Sequence, residues 1–263
     1  MTDTTKNHDP TTLVPQLEYL KLNAIRNHHV DRARVAVEER LTHLEFLSDL
    51  VDLEATQKRE RSNRALITAS KMPTVKTMDG WDWKWNATHI RREQIMPLFE
   101  LTILKDLVNL ILLGKQGLGK TRIALALCHK ACTMGIRALF TTAADMLNRL
   151  YASAADRTLE KALKAYTTPT LLVIDEVGCL PFSKEAGDLF FQVIAKRYER
   201  GSILLTCNRD FKKWNEIFAD SVVAAAIIER LVHHSQIITL KGRSYRLKDK
   251  KELEEEMPST PES

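Results

Sequence analysis

Two groups of residues in this chain have the types and spacing for phosphate chemistry. The first is Gly114-Lys115-Gln116-Gly117-Leu118-Gly119-Lys120-Thr121, which fits the pattern G-x-x-x-x-G-K-[ST]. A phosphate is held by backbone N–H groups turned inward on a tight loop, a path that glycine permits because it has no Cβ. Lys120 then reaches the β- and γ-phosphates of a nucleotide and the Thr121 hydroxyl coordinates Mg²⁺. Arg122 follows at the start of the next helix. The second group is Asp175-Glu176, an adjacent carboxylate pair behind the apolar run Leu171-Leu172-Val173-Ile174. Asp175 joins Thr121 as a ligand to Mg²⁺, directly or through water, and Glu176 is left to orient and polarise an attacking water. Asn208, at the end of a later apolar run, is placed to reach the γ-phosphate or that water. The residue types point to hydrolysis of a nucleoside triphosphate.

This chemistry needs the order strand, glycine loop, helix, and the flanks supply it. Residues 107–113 form a short apolar run before the loop, and 122–128 are rich in helix formers after it. Further strands are expected at 136–141, 171–176, 202–208 and 236–240, with helices between them from Ala144 to a stop at Pro169, around Phe190 to Tyr198, and at 219–234. Strands alternating with helices predict an α/β fold with a parallel sheet. Ligands of such sheets bind beyond the carboxyl ends of the strands, where Asp175 and Glu176 stand.

Upstream, apolar residues at helical spacing (Leu13, Leu17, Leu20, Ala24, then Val37, Leu41, Leu44, Leu47, Val51) predict amphipathic helices. The resulting organisation is a disordered start at 1–11, a helical N-terminal domain at 12–72, a tryptophan-bearing linker and helix at 73–100, the nucleotide-binding domain at 101–247 and an acidic, disordered tail at 248–263. The patch Lys58-Arg59-Glu60-Arg61-Ser62-Asn63-Arg64 reads as a solvated helix face with some capacity to touch phosphates. Trp81, Trp83 and Trp85 alternate with polar residues and are expected to pack where the two domains meet, with base stacking as the other use of such a ribbon. Cys128, Cys132, Cys179 and Cys207 lack paired metal-ligand spacing and read as reduced thiols.

No stretch approaches the ~20 apolar residues of a membrane span, and the polar start has no signal-peptide core, so a cytoplasmic protein is expected. Of the net charge of +5, residues 1–100 contribute nothing, holding 15 basic and 15 acidic side chains. Residues 101–247 hold 21 basic against 13 acidic, which places the excess on the nucleotide-binding part and suits an anionic partner such as DNA.

The glycine loop, 171–178 with Leu180-Pro181, Thr206-Cys207-Asn208-Arg209, Ile228-Glu229-Arg230-Leu231-Val232-His233-His234 and Gly242-Arg243-Ser244-Tyr245-Arg246 together resemble the IstB-like ATPases. These are AAA+ helpers of insertion-sequence transposition, related to the DnaC helicase loaders. The likeness covers roughly Leu13 to Leu247. One departure is Lys115-Gln116, where the family usually carries prolines; these positions contribute mainly backbone. The resemblance implies an AAA+ phosphate-loop core with a helical N-terminal domain, ATP and Mg²⁺ as cofactors, and duplex DNA, a transposase and further copies of the chain as partners, with the nucleoid as its setting. It makes Asn208 the first sensor, Arg230 an arginine finger reaching the ATP of an adjacent subunit, and Arg246 a second phosphate-sensing arginine. His233-His234 and Ser244-Tyr245-Arg246 lean toward the transposition branch. A helicase loader and a nucleotide-gated DNA scaffold are the alternatives. His233 and His234 have no metal-ligand partner by spacing and read as packing residues.

Overall fold

The computed structural model describes residues 13–179 and 181–248. The expected disordered start (1–11), Leu180 and the tail from 249 lie outside them. The chain divides into two compact units, Met1–Arg64 and Ala65–Ser263.

In the first unit α1 (Leu13–Tyr19), α2 (Asn23–Glu38) and α3 (His43–Ala69) follow one another, α3 from Ala65 on belonging to the second unit. The helical stretch expected across Val37 to Val51 is interrupted. Thr42 and Glu45 form a reciprocal capping box, Glu45 N–H donating to Thr42 Oγ1 at 3.3 Å and Thr42 N–H donating to the Glu45 carboxylate at 2.7 Å, which starts a new helix. Val37, Leu44, Leu47 and Val51 are exposed in consequence. The first turn of α2 has no side-chain acceptor at its cap, Leu22, and the buried Glu54 supplies one, accepting from Ala24 N–H at 2.8 Å and Ile25 N–H at 3.1 Å.

In the second unit the helix expected from Thr88 shrinks to one turn, α4 (Arg92–Ile95), followed by a 3₁₀ turn over Met96–Glu100 at Pro97, which has no N–H to continue an α-helix. Then come β1 (Asn109–Leu113), α5 (Lys120–Thr133), β2 (Ala138–Thr142), α6 (Ala143–Ala155), α7 (Leu159–Thr167), β3 (Leu171–Val177), α8 (Lys184–Arg197), β4 (Ser202–Cys207), α9 (Ser221–His233) and β5 (Ser235–Thr239). The strands form one parallel sheet in the order β2-β3-β4-β1-β5. Strand side chains alternate between faces, and β1 shows it: Leu110 and Leu112 join the core beneath α5, Ile111 and Leu113 the core beneath α6 to α9. Helix starts are fixed by side-chain caps, Thr142 accepting from Asp145 N–H, Ser183 from Ala186 N–H and Asp220 from Val222 and Val223 N–H.

Arg197, only 1% exposed, ties the base of the sheet together. Its guanidinium donates to the carbonyls of Tyr166, Pro169, Thr170 and Ser202 at 2.7–3.1 Å. Burial pushes it down to about 10, so it stays charged at neutral pH. Arg197→Ala strands four acceptors and is expected to lower unfolding stability by about 4 kcal/mol at about 1 kcal/mol each, read as a lower urea midpoint at unchanged slope.

Candidate functional site

β1 and β4 run side by side, and the glycine loop leaves the carboxyl end of β1 with Gly114 N–H donating to Cys207 O at 3.1 Å. Two glycines are required by their surroundings. Gly119 (φ 86) caps α5, and a Cβ there would collide with the Trp81 ring; Gly117 (φ 77) would collide with Ser244. Lys120 Nζ donates to Gly114 O at 2.6 Å and Lys115 O at 2.8 Å, which curls the loop around its own lysine. Burial pulls the Lys120 ammonium below its ordinary value, while the Asp175 carboxylate opposes that shift.

Thr121 Oγ1 donates to Asp175 Oδ1 at 3.1 Å, so the two expected Mg²⁺ ligands lie together at the mouth of the sheet. Asp175 is buried and Glu176 exposed, a split that the strand pairing explains. Ile174 pairs with Leu205 but Val177 with Cys207, so β3 carries one extra residue here. This bulge puts Glu176 at φ 62 and turns it out of the sheet. Thr206 ties the two residues together, its hydroxyl donating to the Asp175 carboxylate at Oδ1 and accepting from the backbone N–H of Glu176 at 3.0 Å.

A cavity of about 310 Å³ opens over these groups. It gathers Gln116, Gly117, Leu118, Gly119, Lys120, Thr121, Arg122, Glu176, Asn208 and Arg246 from the sequence reading. Gly114 and Lys115 are not among the residues lining it and hold Lys120 by their carbonyls. Arg122 lines the cavity, but its guanidinium serves the tryptophan segment, donating to the carbonyls of Thr77, Asp79 and Gly80 and lying 5.6 Å from the Trp81 ring centroid.

The site also contains residues the sequence reading missed. Thr206, near the end of β4, carries no spacing signal that marks it. Trp81, Trp85 and Tyr245 line the cavity, so within this unit the tryptophan segment lies against the phosphate loop. It is clasped to the segment after β5: Asn86 and Arg243 exchange hydrogen bonds at 2.8 Å, Trp85 Nε1 donates to Arg243 O, Lys248 pairs with Asp82 at 2.9 Å, and Tyr245 N–H donates to Gly117 O. Spacing gives no hint of contacts between residues so far apart in the chain.

Arg230 is elsewhere. It lies near the starting ends of β1 and β4, lining one small pocket with Leu107, Asn109 and Ile203, whereas the glycine loop leaves the other end of β1, about 13 Å along the strand at ~3.3 Å per residue. Its Nη1 donates to Ala226 O and its guanidinium stacks 4.9 Å from the Phe191 ring centroid.

The donor set is suited to Mg²⁺, a hydroxyl and a carboxylate being the hard oxygen ligands it prefers. Asn208 Oδ1, buried with no partner among the described residues, is a further polar atom awaiting one.

Residues 15–253 match the family described as IstB-like ATP binding protein. The chain belongs to that family. This IstB-like chain is 39% identical over 223 residues to a Geobacillus stearothermophilus protein named for ATP binding in insertion sequence IS5376, covering 85% of the chain and 88% of that protein. It is 35% identical to the corresponding IS21 protein of Pseudomonas aeruginosa, with 89% and 88% covered. In fold the IstB-like chain resembles a DNA replication initiation factor (TM-score 0.54, 22% identity, 70% of this chain and just over half, 55%, of that one). It also resembles AMPPCP-bound DnaA from Aquifex aeolicus (0.53, 19%, 73% and 58%) and DnaI (0.53, 19%, 69% and 92%). The sheet and its phosphate loop therefore share the P-loop AAA+ fold of these proteins. Among the described residues no helix is long and apolar enough to cross a membrane.

Proposed function

We propose that this IstB-like protein is a Mg²⁺-dependent ATPase of the bacterial cytoplasm that assembles on duplex DNA in its ATP-bound form and assists a partner transposase. The observation that carries the reading is the convergence of Lys120, Thr121 and Asp175 at the mouth of a parallel sheet, with Glu176 turned outward over the same cavity. Lys120 exchanges its two loop carbonyls for the β- and γ-phosphates. Thr121 and Asp175 hold Mg²⁺, which when bound neutralises phosphate charge. Glu176 orients the attacking water and accepts its proton, Asn208 positions the γ-phosphate, and Arg246 faces the phosphates from the segment after β5. Arg230, being at the other end of the sheet, serves the nucleotide of an adjacent subunit, which makes turnover depend on assembly.

DNA as the partner is supported by the insertion-sequence origin of the relatives and by charge. A groove of about 960 Å³ beside β2 has Lys71, Arg137, Arg149, Lys161 and Lys164 in its lining against a single carboxylate, Asp145. Transposase rather than helicase as the client rests on the same relatives, which are named for insertion sequences.

Trp81 and Trp85 line the cavity, so nucleotide entry is expected to change tryptophan fluorescence, and titration with a non-hydrolysable ATP analogue reads binding directly. Lys120→Ala should weaken that binding about 10–100-fold, the worth of a charge-assisted phosphate contact, and with it the nucleotide-stimulated assembly on duplex DNA followed by light scattering. Assembly that proceeds equally with no nucleotide would refute the coupling.

A further inference from the structure

Away from the phosphate site, Glu199, His233 and His234 bring one ligating atom each to within 4.8 Å of one another, all three exposed. Sequence spacing gave the histidine pair no third ligand; the turn after α8 supplies it. His233 ends α9 and His234 follows it, so both stand where the unpaired carbonyls of a helix terminus favour a cation. His234 Nε2 lies 3.5 Å from Glu199 Oε1. That is close to the ~3.4 Å separating two ligands of a tetrahedral ion with bonds of ~2.1 Å. The Tyr198 hydroxyl is 2.8 Å from His233 Nδ1. A hydrogen bond of this kind to the second ring nitrogen is what holds a ligating imidazole in one tautomer and one orientation.

We propose that Glu199, His233 and His234 bind one divalent transition-metal ion of the zinc class, with Tyr198 positioning His233. Two imidazoles and a carboxylate suit zinc rather than Mg²⁺, which prefers all-oxygen shells. Three protein ligands leave a fourth position to water or to a group from another molecule. The site stands independently of the ATPase reading, since none of its residues lines the nucleotide cavity. Its consequence for α9 is mechanical: the ion would pin the helix end one turn beyond Arg230 to the turn that follows α8.

The test is calorimetric titration of the full chain with zinc chloride, followed by X-ray absorption at the zinc edge. The expected result is one ion per chain in a shell of nitrogen and oxygen only. His233→Ala, His234→Ala and Glu199→Gln should each weaken uptake at least about tenfold, and Tyr198→Phe should weaken it to a smaller extent. Circular dichroism establishes that each variant is folded, and the exposed Glu199→Gln keeps the test open if a histidine variant is not. Absence of stoichiometric uptake, unchanged affinity in the variants, or sulfur in the zinc shell, which would move the ion to the cysteines, overturns the proposal.

Discussion

Glu176→Gln is expected to bind ATP as tightly as the unaltered protein and to turn it over about 10²–10⁴-fold more slowly, the usual contribution of a positioned general base. The two halves of that expectation come from separate features of β3. Binding survives because the groups that would meet the phosphates and Mg²⁺ are Lys120, Thr121 and Asp175, none of which touches the altered side chain through a hydrogen bond. Folding survives because Glu176 is exposed and is held by its backbone, whose N–H donates to Thr206 Oγ1. Glutamine is isosteric and makes the same bulge, yet it cannot take a proton from water. A single-turnover assay at saturating ATP isolates the chemical step, and a rate within threefold of the unaltered protein would remove Glu176 from the role of base. The same measurement discriminates against a nucleotide-gated scaffold, which would hydrolyse negligibly before the substitution as well as after it.

The phosphate loop, the carboxylate pair and the alternation of strands with helices were legible because each is a local pattern. A glycine loop between an apolar run and a helix former run has few other uses, and β1, β3 and β4 each carry a continuous apolar run (110–113, 171–174 and 203–205) because both faces of the sheet are covered. Thr206 was not legible as a site residue. Its role comes from the one-residue bulge in β3, a feature of pairing between two strands that neither strand's composition announces. The tryptophan segment was read as junction packing because alternating aromatics state only that they will be covered. That the cover is Gly119, Arg122 and the segment around Arg243 and Tyr245 depends on the fold returning the chain after β5 to the glycine loop. The histidine pair likewise acquires Glu199 only through the packing of α8 against α9. The continuous helix expected across residues 37–51 failed for a local reason that was open to reading, the Thr42-x-x-Glu45 box.

Arg230→Ala should leave ATP affinity unchanged and reduce turnover by about 10³–10⁵-fold, the range over which a finger arginine stabilises the charge of phosphoryl transfer. Stability should hardly move. The side chain stacks on Phe191 at the surface of α8 and donates only to Ala226 O in its own helix, so truncation strands no buried partner. Arg230→Lys should not restore the rate, because an ammonium lacks the planar fork that spans two phosphate oxygens. What separates this account from a role within the same subunit is a mixture. Arg230→Ala subunits have an intact Glu176, and Glu176→Gln subunits have an intact Arg230. In head-to-tail contacts formed at random from equal amounts, about a quarter of the interfaces pair a sound active site with a sound arginine, so about a quarter of the unaltered rate should return. If each arginine served its own nucleotide, every site would lack one of the two groups, either Arg230 or Glu176, and the mixture would stay inactive. The position of Arg230 at the starting ends of β1 and β4, a full strand length from Lys120, is the geometric reason to expect recovery.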